Sequence, residues 1–213
     1  MIDLHTHTLL SDGALVPSEL IRRAEVKGIR VLAITDHVDS SNIGHVVPKT
    51  VEFCKSLKDC RCIRAIPGAE ITHAPLELIP GLVRKCRELG AMIVLVHGET
   101  LVEPVPEGTN RVAIESGVDI LAHPGLITEG DVRLAAEKGI YLELSGRKGH
   151  SYSNGHVAAL AMRFGAKLVI NSDTHAPGDL MSLEFARNLV KGAGVGEVEE
   201  VFRNSRELVE RIF

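Results

Sequence analysis

MIDLHTHTLLSD, residues 1–12, decides how the rest of the chain is read. Ile2 to Leu4 reads as a short strand that begins almost at the first residue. His5 and His7 then share a face, because side chains two apart on an extended segment point the same way. Two imidazoles on one face, with Asp12 on the loop just beyond, offer nitrogen and oxygen ligands to a divalent metal. A surface His-x-His without a role would look the same, so the tripeptide alone decides nothing. Its weight comes from similar residues at the ends of the later strands.

Working outward, Pro17 to Gly28 reads as a helix, with Pro at its first turn, a stripe of Leu20, Ile21 and Ala24, and a closing glycine. Val31 to Thr35 is a continuous apolar run, as in a strand buried on both faces, and ends in Asp36-His37. A helix is expected over Lys49 to Lys58, a strand over Cys62 to Ile66, then Pro67-Gly68-Ala69-Glu70 and Ile71-Thr72-His73. Helix Leu76–Leu89 leads to strand Ala91–Val96 and His97, and a long Pro-rich loop from Gly98 to Gly108 follows. Helix Asn110–Ser116 precedes strand Val118–Ala122, which ends in His123-Pro124-Gly125. Helix Glu129–Lys138 leads to strand Ile140–Leu144, which carries Glu143 and runs into Ser145-Gly146-Arg147-Lys148. Helix Gly155–Phe164 leads to strand Lys167–Ile170 and Asn171-Ser172-Asp173-Thr174-His175. Helices over Leu180–Lys191 and Val198–Ile212 finish the chain.

Seven strands alternating with helices call for a parallel sheet covered by helices. Polar, ligand-type residues end all seven, which favours a closed (β/α) barrel, whose rim gathers every strand end around one site. An open doubly wound sheet would cluster them at a switch point. No glycine-rich G-x-G-x-x-G follows the first strand, which removes the usual dinucleotide reading. The 213 residues suffice for one domain, 1–213. A net charge of −4 without a basic block, with 3% aromatic residues and no Trp, argues against nucleic-acid binding. No apolar run is long enough for a membrane span, and Asp3 interrupts any leader-like segment, so a soluble, cytoplasmic protein is expected. Of the four cysteines, Cys60-Arg61-Cys62 is a C-x-C rather than the paired C-x-x-C of a zinc ribbon, and all four are expected to be reduced. The ten histidines are the unusual feature of the composition.

In order, the strand-end residues are His5, His7 and Asp12; Asp36 and His37; Glu70 and His73; His97; His123; Glu143; Asp173 and His175. A single such histidine could be a core residue hydrogen-bonded to backbone. Seven ends converging on one rim would crowd imidazoles and carboxylates that repel when charged and are costly to desolvate. Divalent metals remove that conflict, and the set exceeds the four ligands of one zinc site, so two or three ions are implied.

These residues also carry a resemblance. D-L-H-T-H-T…S-D-G, I-T-D-H, G-A-E, V-H-G, A-H-P-G and N-S-D-T-H, in order from Asp3 to His175, resemble the successive motifs of the polymerase-and-histidinol-phosphatase (PHP) family. The resemblance implies a distorted seven-stranded TIM-like (β/α)7 barrel with a trinuclear metal centre that hydrolyses phosphoesters. It places a first ion on His5, His7, Glu70 and Asp173. Glu70 would bridge to a second, held by His97 and His123, and Asp12, His37 and His175 would hold the third. Some relatives have histidine where Asp12 stands, and an oxygen ligand there favours manganese or iron over zinc. His73 and Glu143 fit the rim as groups behind the ligands or against substrate, and Asp36 is expected to orient His37.

The chemistry agrees: divalent ions make hydroxide accessible at neutral pH and neutralise the phosphoryl oxygens. The remaining oxygens need a cation, and Arg147, with Lys148 beside it, is placed to supply one. A solvated loop arginine would look the same, and Arg111 is the weaker candidate. Glu70, Asp173 and Arg147 are thus the candidate catalytic residues. His150 and His156 are expected beyond the rim, neither binding metal. The expected function is hydrolysis of a small phosphomonoester, histidinol phosphate being one candidate from the resemblance. Alternatives are a phosphodiesterase or exonuclease acting on nucleotide ends and a non-catalytic metal-binding scaffold. An amidohydrolase would usually show a carboxylated lysine at a strand end, and no strand here ends in one.

Overall fold

The computed structural model describes residues 1–60 and 63–213. Among these, β1 (Ile2–Asp3) is followed by α1 (Pro17–Val26), β2 (Val31–Ile34), the two-residue β3 (His37–Val38), α2 (Ile43–Ser56), β4 (Arg64–Ile71), α3 (Ile79–Glu88), β5 (Ile93–His97) and α4 (Thr109–Glu115). Then come β6 (Ile120–Ala122), α5 (Glu129–Lys138), β7 (Tyr141–Ser145), α6 (Asn154–Phe164), β8 (Leu168–Asn171), α7 (Leu183–Gly192) and α8 (Val198–Ile212). Every pairing is parallel, in the order β1-β2-β4-β5-β6-β7-β8, with β3 beside the end of β4. The seven main strands make a nearly closed α/β barrel of the TIM-like kind. None of the described helices is long and apolar enough to cross a membrane.

Period-two alternation along the strands separates two apolar layers. Val94, Val96, Leu121, Leu142, Leu144 and Ile170 pack outward among the helices. Ile66, Ile93, Leu95, Ile120, Tyr141 and Val169 pack together on the opposite face, inside the barrel. Continued by twos toward the strand ends, that inner face reads Ile66-Gly68-Glu70, Ile93-Leu95-His97, Tyr141-Glu143 and Val169-Asn171. Along these four strands the barrel interior therefore changes from hydrocarbon to polar side chains within one or two residues of the strand end.

The third main strand is longer than its sequence suggests, running through Pro67 and Gly68 to Ile71. Pro67 sits where the pairing changes over: residues 64–67 are in register with β2, and 68–71 with β5. Gly68 lets β5 approach, since a Cβ there would stand 2.6 Å from Ile93 Cγ2 and 2.8 Å from Thr35 Cγ2. α2 begins at Ile43, ahead of the expected Lys49, and takes Pro48 inside, where the ring removes one N–H from the helix ladder. Cys62, read as the start of the third strand, lies outside the described residues; Cys54, Cys60 and Cys86 are free thiols.

Closure between β8 and β1 relies on side chains. Beyond the strands, Thr6 and Thr174 form an isolated parallel bridge, and His7 N–H donates to the Thr174 carbonyl at 2.8 Å. Below it, Leu4 N–H donates to Asn171 Oδ1 at 2.9 Å and Ser172 N–H donates to Asp3 Oδ1 at 3.1 Å. Asn171 is fully buried, and its Nδ2 also donates to Glu143 Oε1 at 2.8 Å. Replacing it leaves a buried N–H unpaired, so Asn171→Leu should destabilise the fold by about 1–3 kcal/mol. Thermal unfolding measures this; an unchanged midpoint would show that the seam does not depend on the amide.

Candidate metal centre

Each functional side chain is delivered by a strand end whose neighbouring loop is pinned. Asp36 accepts from Thr8 N–H at 2.7 Å, Thr8 Oγ1 at 2.8 Å and Ser11 Oγ at 2.6 Å. It therefore fixes the loop that carries Asp12, whereas the sequence reading had it orienting His37. The His37 ring is held instead by Thr72, whose Oγ1 lies 2.6 Å from Nδ1. The loop after β5 is tied at its base: Glu99 Oε1 accepts from Gly108 N–H and Asn110 N–H, and Asn110 Nδ2 donates to the Pro124 carbonyl. Gly125, at φ +61°, admits this base, because a Cβ there would lie 1.7 Å from the Glu99 carbonyl oxygen. Among the described residues three non-glycine positions have positive φ, His73 (50°), His123 (25°) and Asp173 (53°), and all three are in this site. Such backbone is held only where its surroundings over-determine it.

Glu70 stands at the centre. Its carboxylate oxygens lie 2.8 Å from His37 Nδ1, 3.3 Å from His5 Nε2, 3.4 Å from His123 Nε2 and 3.7 Å from His7 Nε2. Asp173 lies 3.3 Å from His7 and His175 and 3.7 Å from His5 and His123. Potential ligand atoms within 4.8 Å of one another fall into overlapping groups. His5, His7 and Glu70 form one, and His5, His123 and Asp173 another. His7, Asp12, His37 and His175 form a third, and His97, His123 and His150 a fourth. All nine metal-ligand candidates from the sequence are thus brought together. Glu143 is fully buried behind them: Oε1 is 2.9 Å from His5 Nδ1, and Oε2 accepts from His123 N–H at 3.0 Å.

Two members of the site were not foreseen. His150, expected beyond the rim, lies inside it, 4% exposed, with its ring centroid 4.1 Å from that of His123. Gly149, at φ +92°, turns the chain back under Val102 to bring it there, and no spacing rule registers such a turn. Glu103, on the long loop, gathers three imidazoles, with contacts of 3.0 Å to His97, 3.1 Å to His73 and 3.2 Å to His150. A lone glutamate in a Pro-rich loop carries no sequence signal. His156 stays outside, its Nε2 donating to the Ile127 carbonyl at 2.8 Å. Arg111 pairs with Glu115 and Asp131 and does not line the cavity, nor does Lys148. Arg147 does; among the described residues lining this cavity of about 210 Å³ it is the only arginine or lysine. Its Nη1 donates to the Asp173 carbonyl at 3.3 Å.

The protonation balance without a cation is divided. Burial opposes a charged His5, but Glu143, Glu70 and Asp173 outweigh it and hold the ring well above its ordinary pKa. Burial and then the neighbouring His37 and His5 drive His7 well below its own. Burial pushes His123 down to about 3 and Asp173 up to about 7. Rings only 4.0 Å (His7 to His175) and 4.2 Å (His7 to His37) apart cannot all be charged. Meanwhile His5 Nε2, both His7 nitrogens, both Glu70 oxygens and His123 Nδ1 are buried without a hydrogen bond. Buried polar atoms are rarely left so, and an imidazole–carboxylate set of this kind suits divalent transition ions. The donor set fits a metal centre.

Comparison with known proteins agrees in family and fold. A family model described as the PHP domain matches residues 3–163. The chain belongs to the PHP domain family. It is 47% identical to an uncharacterized protein of Methanocaldococcus jannaschii, over 99% of both chains. A probable phosphatase of Thermoanaerobacter is 28% identical, over 92% of this chain and 88% of that protein. The structure of a histidinol phosphate phosphatase from Lactococcus lactis, complexed with zinc, L-histidinol and phosphate, superposes with a TM-score of 0.62. It is 16% identical and covers 91% of this chain and 93% of that one, so it supports the PHP chain's barrel fold alone.

Metals bind deprotonated ligands, so His5 and Asp173 must release their protons as ions enter. Because the Asp173 carboxyl is pushed up to about 7, apparent affinity should fall as pH drops below 7. Calorimetric zinc loading at pH 6, in buffers of differing ionisation enthalpy, should show release of at least about one proton. Buffer-independent heats would mean that neither group holds a proton in the metal-free protein.

Proposed function

We propose that this PHP-domain protein is a metal-dependent phosphatase that releases phosphate from a small phosphomonoester at a trinuclear centre. The observation that carries the reading is Arg147, among the described residues the one arginine or lysine lining a cavity otherwise walled by imidazoles, carboxylates and Thr72. Phosphoester hydrolysis is the activity class that the family and its probable-phosphatase relatives support. Three divalent ions, Zn, Mn or Fe, would be held by His5, His7, Glu70 and Asp173, by Glu70, His97 and His123, and by Asp12, His37 and His175. When bound, they supply an activated water and neutralise charge on the phosphoryl group.

The chain's own residues do the rest. Glu143 fixes the tautomer and aim of His5 by accepting a hydrogen bond from its Nδ1–H. Glu70, within reach of four imidazoles, suits the part of a carboxylate shared between ions. Asp173 binds on one side and presents its carbonyl to Arg147 on the other, which aims the guanidinium across the cavity mouth. There the guanidinium would take phosphoryl oxygens of a bound substrate. A volume of about 210 Å³ suits a phosphoryl group, with the alcohol portion toward the opening. Histidinol phosphate is a candidate because the Lactococcus protein was complexed with L-histidinol and phosphate.

A screen of phosphorylated metabolites with Zn, Mn or Fe added, read by phosphate release, tests the activity. Arg147→Ala should lower phosphomonoesterase kcat/KM by about 10²–10³, the usual effect of losing a donor aimed at developing charge. Bound metal should not change, and diester hydrolysis should fall far less, because a diester presents fewer free oxygens and less charge. Wild-type monoesterase activity in the variant would return Arg147 to the status of a loop cation.

A further inference from the structure

We propose that His150 is a further protein ligand, binding through Nδ1 the ion that His97 and His123 would hold. The inference rests on the metal-dependent reading above and adds a third imidazole to that position.

The first argument is convergence. His97, His123 and His150 come from the ends of, or the loops after, three successive strands, yet all are buried and offer ring nitrogens within 4.8 Å of one another. The His150 ring meets those of His123 and His97 edge-on, with centroids 4.1 Å and 5.7 Å away. Four of the six candidate imidazoles are also committed in one way. His5, His37, His97 and His175 each place one nitrogen against an oxygen: Glu143 Oε1, Thr72 Oγ1, the Gly98 carbonyl and the Asp173 carbonyl. Histidines that bind metals do this, because the outer hydrogen bond fixes the tautomer and leaves the other nitrogen free to ligate. His150 follows the pattern with its ends exchanged. Nε2 is 3.2 Å from Glu103 Oε1, while Nδ1 is buried without a hydrogen bond, 3.4 Å from Asp173 Oδ2.

A purely structural histidine would satisfy both nitrogens or expose one, whereas here a shielded ring nitrogen without a hydrogen bond faces other ligand atoms. A substrate-binding role would need the free nitrogen in the open cavity, but Nδ1 is closed off from solvent. Three imidazoles suit zinc or iron better than manganese or magnesium. The proposal therefore includes a preference at this position for zinc or iron.

The test is side-chain nitrogen NMR of the full chain loaded with zinc, with His150 assigned through its own backbone. The expected result is a metal-shifted Nδ1 and a protonated Nε2. Alongside it, His150→Gln should weaken binding of one zinc equivalent by more than about 100-fold, beyond the loss usual for an outer-sphere partner. The zinc-over-manganese preference should shrink with it, while His156→Gln should match the wild type in both. An unshifted Nδ1 in zinc-loaded wild type would overturn the assignment even if His150→Gln failed to fold. Unchanged zinc affinity in a folded His150→Gln would overturn it as well. If the wild type bound no divalent ion, the metal-dependent reading itself would fall, a result distinct from both.

Discussion

The structure depends on the seam where the last strand returns to the first. β1 is two residues long, and little backbone pairing is available to close the barrel there. Asn171 and Asp3 supply the missing partners through their side chains, and the Thr6–Thr174 bridge completes the join. This closure sets His5 and His7 beside Asp173 and His175, residues more than 160 positions away in sequence. Asn171 serves both ends of the arrangement, since the amide that receives Leu4 also holds the Glu143 that orients His5.

Above the seam the barrel interior turns polar within a residue or two, and a cluster of buried imidazoles and carboxylates results. Its groups cannot all take their ordinary charge states, which is why His5 and His7, two residues apart, are driven in opposite directions. Positive-φ backbone at His73, His123 and Asp173 adds local strain. A fold that sustains unpaired buried nitrogens, misaligned titrations and strained backbone in one place is organised around a positively charged occupant. In the proposed mechanism, divalent ions take that place, and Arg147 provides the remaining positive charge at the mouth.

Much of this was legible in the sequence because it depends on short-range regularities. Apolar runs ending in polar pairs gave the strands and their direction, and His-x-His on an extended segment placed both rings on one face. What escaped notice depends on features without periodicity. β4 continues through Pro67 because the proline falls where pairing passes from β2 to β5, which no local rule reveals. Asp36 looks from its neighbour like a partner for His37, but the β1–α1 loop folds back over it and takes its oxygens. His150 and Glu103 reach the site on loops whose course is set by Gly149 and by the Glu99–Asn110 clasp. Loop residues of that kind become visible only once the barrel has brought the loops together.

In the proposed mechanism this cluster binds several divalent ions that share Glu70. Elemental analysis of protein stripped with chelator, reloaded and freed of excess metal tests it most directly. About three equivalents per chain are expected, because nine candidate ligands with one shared carboxylate exceed what one or two four-coordinate ions can use. A plateau at one equivalent, or none, would contradict it.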